Sequence, residues 1–213
     1  MHKSSSFIVI WLVSLFLLSW CNNLSNNQKE ARILDFGGTH KADSGDYTGA
    51  IQDYENAITL DSTYSTAYFD RGEARLKLGD HTGAIQDYSR VIELDPTYAT
   101  AYSARGITKL GLEDYQGAIQ DFNNAIQLNG KESSYYLARG ESKYNLKDYT
   151  GAIQDYDNAI QLEKNPQYAA VLYSSRGQVK IELKNIISWC KDLKRSLDLW
   201  YQLAGNIIKE LCR

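Results

Sequence analysis

The string GAIQD occurs four times in this 213-residue chain, beginning at Gly49, Gly83, Gly117 and Gly151, each copy 34 residues after the last. A period of that length marks a solenoid. Each repeat is one supersecondary unit that cannot bury its apolar face alone, so neighbours cover one another. A second string keeps the same step: Arg71-Gly72, Arg105-Gly106 and Arg139-Gly140 recur at 34 residues, and Arg176-Gly177 follows after 37. The slip of three falls in Glu163-Lys164-Asn165-Pro166-Gln167, a polar stretch with a proline, and indicates a lengthened inter-repeat turn.

Each unit carries two helical stretches, in the second unit Ala67 to Leu78 and Thr82 to Leu94. Gly79-Asp80 lies between them, with counterparts Gly45-Asp46, Glu113-Asp114 and Lys147-Asp148. A glycine or turn-tolerant polar residue ends the first helix, and the aspartate caps the second. Ala84, Ile85, Tyr88, Val91, Ile92 and Leu94 follow 3-and-4 spacing and share one face. Asp95-Pro96 then stops the helix, because proline disfavours helical geometry in the residue before it.

With these residues in place the chain resembles the tetratricopeptide repeat family, whose pattern is W-x2-L-G-x2-Y, then A-x3-F, then P. The matching positions are Tyr68, Arg71, Gly72, Arg75, Ala84, Tyr88 and Pro96. The next unit supplies Tyr102, Arg105, Gly106, Lys109, Ala118 and Phe122, and the one after it Tyr136, Arg139, Gly140, Lys143, Ala152 and Tyr156. Arginine stands where the pattern has leucine, and a base replaces the second tyrosine. The resemblance implies an all-α, right-handed superhelical solenoid of antiparallel helix pairs. About five units are expected, near residues 31–64, 65–98, 99–132, 133–169 and 170–203. A short helix over 204–213, with Ile207, Ile208 and Leu211, is expected to cover the final apolar face. The end units are degenerate: Gly37 replaces the recurring arginine, and Ser188-Trp189-Cys190 replaces Gly-Ala-Ile. A tryptophan at a small-residue position implies local repacking.

The recurring charges read as structural. Arg71, Arg105, Arg139 and Arg176 are matched by Asp53, Asp87, Asp121 and Asp155, and also by Asp192. The expected pairs join each arginine to the aspartate of the preceding unit: Asp53 with Arg71, Asp87 with Arg105, Asp121 with Arg139 and Asp155 with Arg176. Bidentate geometry favours arginine in such pairs. The glycines after the arginines, and Ala50, Ala84, Ala118 and Ala152, are expected at close helix contacts.

The amino terminus is of a different kind. After a basic start, Phe7 to Trp20 is an apolar run of secretory length, shorter than the ~20 residues of a spanning helix. Its end, Leu17-Leu18-Ser19-Trp20-Cys21, resembles a bacterial lipoprotein signal, which implies lipidation of Cys21. The other reading is an uncleaved anchor. Either holds the chain at a membrane and implies the bacterial cell envelope. Residues 22–30 are polar and asparagine-rich and read as a tether. In an exported chain Cys190 and Cys212 form a candidate disulfide, the alternative being two small buried apolar residues.

Net charge −3 and a pI of 5.6 give no electrostatic footprint for nucleic acid. His2, His40 and His81 have no metal-ligand spacing, and phosphate loops, nucleophile elbows and HExxH are absent from the sequence. No enzyme activity and no cofactor are expected. Tetratricopeptide solenoids present the first helix of each unit on a concave face that receives a peptide. The resemblance places Phe69, Glu73 and Leu76 there, then Ser103, Ile107 and Leu110, then Leu137, Glu141 and Tyr144. The alternative for the apolar members is packing against neighbouring first helices. The carboxylate-clamp subtype carries Lys, Asn and Arg on this face; Thr, Ser and Glu stand here, which excludes acidic chaperone tails. The leading expectation is a non-enzymatic, membrane-tethered interaction scaffold that binds a peptide or protein with apolar anchors and a basic residue. The rivals are a structural accessory subunit of an envelope assembly or secretion complex, and an enzyme or carbohydrate-binding module.

Overall fold

Among the described residues ten helices follow one another in sequence, as the repeated pattern requires. The computed structural model describes residues 24–211, with side chains through residue 200. The helices are α1 (Asn26–Asp43), α2 (Tyr47–Leu60), α3 (Ser65–Lys77), α4 (His81–Leu94), α5 (Ala99–Gly111), α6 (Tyr115–Leu128), α7 (Ser133–Asn145), α8 (Tyr149–Leu162), α9 (Pro166–Glu182) and α10 (Ile186–Leu211). They pack as consecutive pairs, α1 with α2 through α9 with α10. Residues 1–94 and 95–213 form two compact units; α1–α4 lie in the first and α5–α10 in the second. No strand occurs among the described residues.

Three of the five letters of GAIQD are explained by their contacts. Asp46, Asp80, Asp114 and Asp148 accept hydrogen bonds from the backbone N–H of Gly49, Gly83, Gly117 and Gly151 at 2.9–3.0 Å, capping each second helix. A Cβ on those glycines would stand 2.1–2.2 Å from the capping carboxylate, so the motif begins with glycine. The alanine is fully buried in all four copies. The final aspartate is 1–2% exposed at Asp87, Asp121 and Asp155. In the last pair Asn185 caps through the Ser188 N–H at 3.2 Å.

The Arg-Gly glycine is the second close contact. A Cβ on Gly38, Gly72, Gly106 or Gly140 would lie 2.6–3.1 Å from the ring of Tyr54, Tyr88, Phe122 or Tyr156. The ring packs against bare backbone, and this sets the register of each pair. Gly177 meets a different ring, Trp189 Cδ1, at 3.3 Å. Trp189 stands at the alanine position and Leu193 at the aromatic position. The last pair therefore supplies its ring from one helical turn earlier, which is the repacking expected there.

Two elements depart from expectation. Residues 26–30, read as tether, form the start of α1: Ser25 and Gln28 make a reciprocal capping box, each backbone N–H bonded to the other side chain. The separate capping helix over 204–213 does not form. α10 runs unbroken for 26 residues to Leu211, so Ala204-Gly205 does not fold back over the final face. The lengthened turn is present: Asn165 caps α9 ahead of Pro166, and Glu163 accepts from the Ser133 hydroxyl at 2.6 Å. The segment 1–21 and Cys212 lie outside the described residues.

The turn residue before each capping aspartate or asparagine has positive φ: Gly45 (89°), Gly79 (81°), Glu113 (63°), Lys147 (63°) and Lys184 (57°). A side chain costs about 1–2 kcal/mol there. Lys147→Gly is therefore expected to stabilise the protein by up to about 1 kcal/mol, read as a higher urea midpoint with unchanged slope.

Candidate functional site

The arginine row is built inside each pair, not between units. Arg71, Arg105, Arg139 and Arg176 donate through Nε (3.0 Å) and Nη2 (2.5–2.6 Å) to both oxygens of Asp87, Asp121, Asp155 and Asp192. The expected pairs Asp53–Arg71, Asp87–Arg105, Asp121–Arg139 and Asp155–Arg176 are thus corrected. The glycine–ring contact fixes the register, and it puts the aspartate 16 residues later opposite the arginine. The second base of the motif joins in. Arg75, Lys109, Lys143 and Lys180 reach the same carboxylates at 2.7–2.8 Å. In the first pair, where Gly37 replaces arginine, Lys41 alone holds Asp53, at 2.6 Å. Each arginine also stacks over the tyrosine three residues earlier, 5.3–5.9 Å from the ring centre.

The link to the preceding unit is made by a different residue, two positions past the aspartate. Arg139 Nη1 donates to Asn123 Oδ1 at 2.7 Å, Arg176 Nη1 to Asp157, and Arg71 Nη1 lies 3.9 Å from Glu55. Burial works against ionisation of Asp192, but hydrogen bonds from Arg176 and Lys180 outweigh it and hold the carboxyl below its usual range.

The first-helix faces carry the expected groove residues with two qualifications. Ser103 is buried (7% exposed) and presents nothing. Phe69 packs its ring on Tyr88 at 5.5 Å, and Leu137 and Tyr144 pack against the core of Ala152, Tyr156 and Val179. Glu73, Ile107 and Glu141 are exposed, and Leu76 and Leu110 are half-buried. The Glu73 position also answers to the ring beneath it. Tyr88 donates its hydroxyl to Glu73, Tyr54 donates to Thr39, and Glu141 lies beside Tyr156; Ile107 occurs where the ring is Phe122. Part of the variation on this face is therefore packing.

Concave spaces remain on these faces. In the first compact unit a cavity of about 370 Å³ is lined by Thr39, Asp43, Tyr47, Asp70, Glu73 and Lys77, among others. In the second unit one of about 450 Å³ is lined by Leu137, Glu141, Tyr144, Val171, Ser174 and Gln178, with Tyr156 and Ser175. A neighbouring space of about 560 Å³ opens at the lengthened turn, between Lys131, Leu137, Glu163 and Tyr168.

Asp70 and Asp35 are the site residues that sequence reasoning missed. Burial, then the nearby Asp35 and Glu73 carboxylates, push the Asp70 carboxyl up to about 7. Asp35 is raised by burial as well, against the opposing Tyr64 hydroxyl bond (2.9 Å) and the Arg32 charge; its Oδ1 is buried without a hydrogen-bond partner. Among the described residues no ion pair to Asp70 forms, with Lys77 lining the same cavity. Cys190 is exposed, and its candidate partner Cys212 is outside the described residues. Among the described residues no group of three His, Cys, Asp or Glu side chains is placed to hold a metal. None of the helices there is long and apolar enough to cross a membrane.

A TPR repeat model matches residues 41–79 and 72–112, and a tetratricopeptide repeat model matches 103–169. Together they span 41–169, more than half of the chain. The chain belongs to the tetratricopeptide repeat family. No curated protein matches it in sequence. Among solved structures it is similar to a crystal structure of MamA, at 24% identity, covering 79% of this chain and 96% of that one with a TM-score of 0.75. It is similar to YrrB, described as a TPR protein with an unusual peptide-binding site: 17% identity, 83% and 90% coverage, TM-score 0.69. The first TPR domain of Spaghetti (RPAP3), bound to the HSP90 peptide SRMEEVD, matches at 22% identity, 56% and 95% coverage, TM-score 0.55. At these identities the likeness shows the tetratricopeptide fold alone.

Proposed function

We propose that this chain is a non-enzymatic scaffold that binds an extended peptide or protein segment on its first-helix faces, with a basic side chain of the partner seated at Asp70 and Glu73. The observation that carries this reading is the contrast between two sets of residues. The repeated arginines, lysines and aspartates are all engaged with one another, whereas Asp70 lines an open cavity with Asp43, Glu73 and Lys77 and makes no ion pair among the described residues. A cation entering there supplies the missing countercharge. The peptide-binding site described for YrrB and the HSP90 peptide bound to the Spaghetti domain support peptide recognition by this fold. We further place the scaffold at a bacterial envelope membrane, held through Cys21 or an uncleaved leader.

Selection of a random peptide display library against the chain tests the binding part. Enriched peptides should carry apolar anchors and a lysine or arginine, and Glu73→Lys should weaken them more than Glu141→Lys. Binding a cation requires the charged form of Asp70, whose carboxyl stands near 7. Affinity should therefore be about tenfold weaker at pH 6 than at pH 8, and Asp70→Asn should flatten that profile. Enrichment of acidic peptides, or a flat profile in the unaltered chain, would overturn the assignment. Membrane extraction of the chain and of Cys21→Ala tests the tether: the variant should move to the soluble fraction if lipid on Cys21 holds it.

A further inference from the structure

The lengthened turn opens a socket that a tyrosine fills in the first compact unit. Seven residues before the recurring arginines stand Tyr64, Tyr98, Glu132 and Ala169. Tyr64 packs on the core of Ala31, Ala57 and Ala67, with Leu60 beside it. Arg32 lies 5.4 Å from its ring centre, and its hydroxyl donates to Asp35 at 2.9 Å. The in-phase counterparts of Asp35, Leu60 and Ala67 are Leu137, Leu162 and Leu172. Those three leucines line the space of about 560 Å³ in the second unit, and Ala169 brings no ring to fill it. Tyr168 lines it too but is 62% exposed, so its ring is a wall and not a filling. Leu137 in place of Asp35 removes the acceptor that a phenolic hydroxyl uses, so these leucines favour plain hydrocarbon.

The polar lining has donors to spare. Glu163 accepts from the Ser133 hydroxyl and, at 2.8 Å, from the Asn165 N–H, so both of its oxygens are engaged. Glu132 accepts from the Asn129 amide at 3.4 Å. Lys131 and Lys164 line the same space and form no ion pair among the described residues. Lys164 lies in the stretch that breaks the period, so the same insertion that lengthens the turn supplies one of the two cations.

We propose that this cavity binds a small aromatic carboxylate, its ring on Leu137, Leu162 and Leu172 and its carboxylate at Lys131 and Lys164. A concave space of this size, apolar with a few polar groups, suits a small ligand. The Tyr168 ring adds an aromatic wall. The carboxylate brings acceptors to two ammonium groups, which have only donors to offer. The site goes beyond the peptide reading and uses neither Asp70 nor Glu73.

The test is isothermal titration of the full-length chain with 2-naphthoate, and in parallel with 2-naphthalenemethanol, which has the same rings and no charge. Naphthoate should bind saturably at one site. Lys131→Met combined with Lys164→Met should weaken it about tenfold and leave the alcohol unchanged. Ala169→Tyr restores the ring that Tyr64 supplies in the first unit and should abolish binding of both compounds with the helical circular dichroism unchanged. Ser134→Trp, at an exposed position on the α7 side of the cavity, should block it by a second route if Ala169→Tyr does not fold. Absence of saturable naphthoate binding would overturn the proposal. So would naphthoate binding that survives both filling variants, or an equal loss of acid and alcohol in the lysine variant.

Discussion

Asp155→Ala is expected to lower the unfolding free energy by about 3–5 kcal/mol, read by chemical denaturation followed by circular dichroism. Asp155 is 1% exposed and accepts from Arg139 Nε, Arg139 Nη2 and Lys143 Nζ. Its removal leaves two cations facing an apolar helix interface with no countercharge. The loss comes from those orphaned charges, and a companion variant isolates it. Arg139→Met, Lys143→Met and Asp155→Leu combined remove the whole cluster and should recover most of the stability, because an ion cluster replaced by apolar groups is often near neutral. If the triple variant is as unstable as Asp155→Ala, packing and not charge is the cause. Acid should act through the cluster of the last pair. Asp192, whose carboxyl is lowered in the fold, contributes stability above the ordinary carboxylate range and loses it as pH falls through its lowered value.

Phe122→Ala should cost a similar amount, about 3–5 kcal/mol. Phe122 is fully buried, and its ring lies on the backbone of Gly106 where a Cβ would come within 3.1 Å. That contact sets the register that brings Arg105 to Asp121, so the cavity should loosen the ion pair too. Phe122→Tyr separates ring from hydroxyl. Tyr88 and Tyr54 donate their hydroxyls to Glu73 and Thr39, whereas the equivalent position after Gly106, against which Phe122 packs, is Ile107. Phe122→Tyr alone should cost about 1 kcal/mol for an unmatched hydroxyl. Adding Ile107→Glu should restore it, and the unfolding midpoints of the four chains close the cycle.

The helix pairs, their turns and their caps were legible because each depends on local chemistry: a glycine or polar residue at the turn, an aspartate at the cap, a glycine after it. The partners of the arginines were not, because a period of 34 leaves them ambiguous. Arg71, Arg105 and Arg139 each stand 16 residues before one aspartate and 18 after another, and Arg176 stands 16 before Asp192 and 21 after Asp155. Only the packing of rings on glycines decides between them. The role of Arg75, Lys109, Lys143 and Lys180 was hidden for the same reason. Asp35 and Asp70 lie outside the recurring positions, and only the approach of α1 to α3 makes a cluster of them. The end of the domain was misread because Ile207, Ile208 and Leu211 read as a helix of their own, whereas they continue the helix that begins at Ile186, and Gly205 does not stop it.

The closure of each ion cluster within its own helix pair has a consequence for how such a chain is copied. Recombination between two GAIQD-encoding stretches adds or deletes 34 residues in frame. The hybrid pair formed at the junction still has its arginine, its second base, its glycine and its aspartate at the proper spacing. Only the weaker contact to the preceding unit is exchanged. The number of repeats can therefore change in one genetic step without leaving a buried charge unmatched, while the residues on the exposed first-helix face are dealt in a new order.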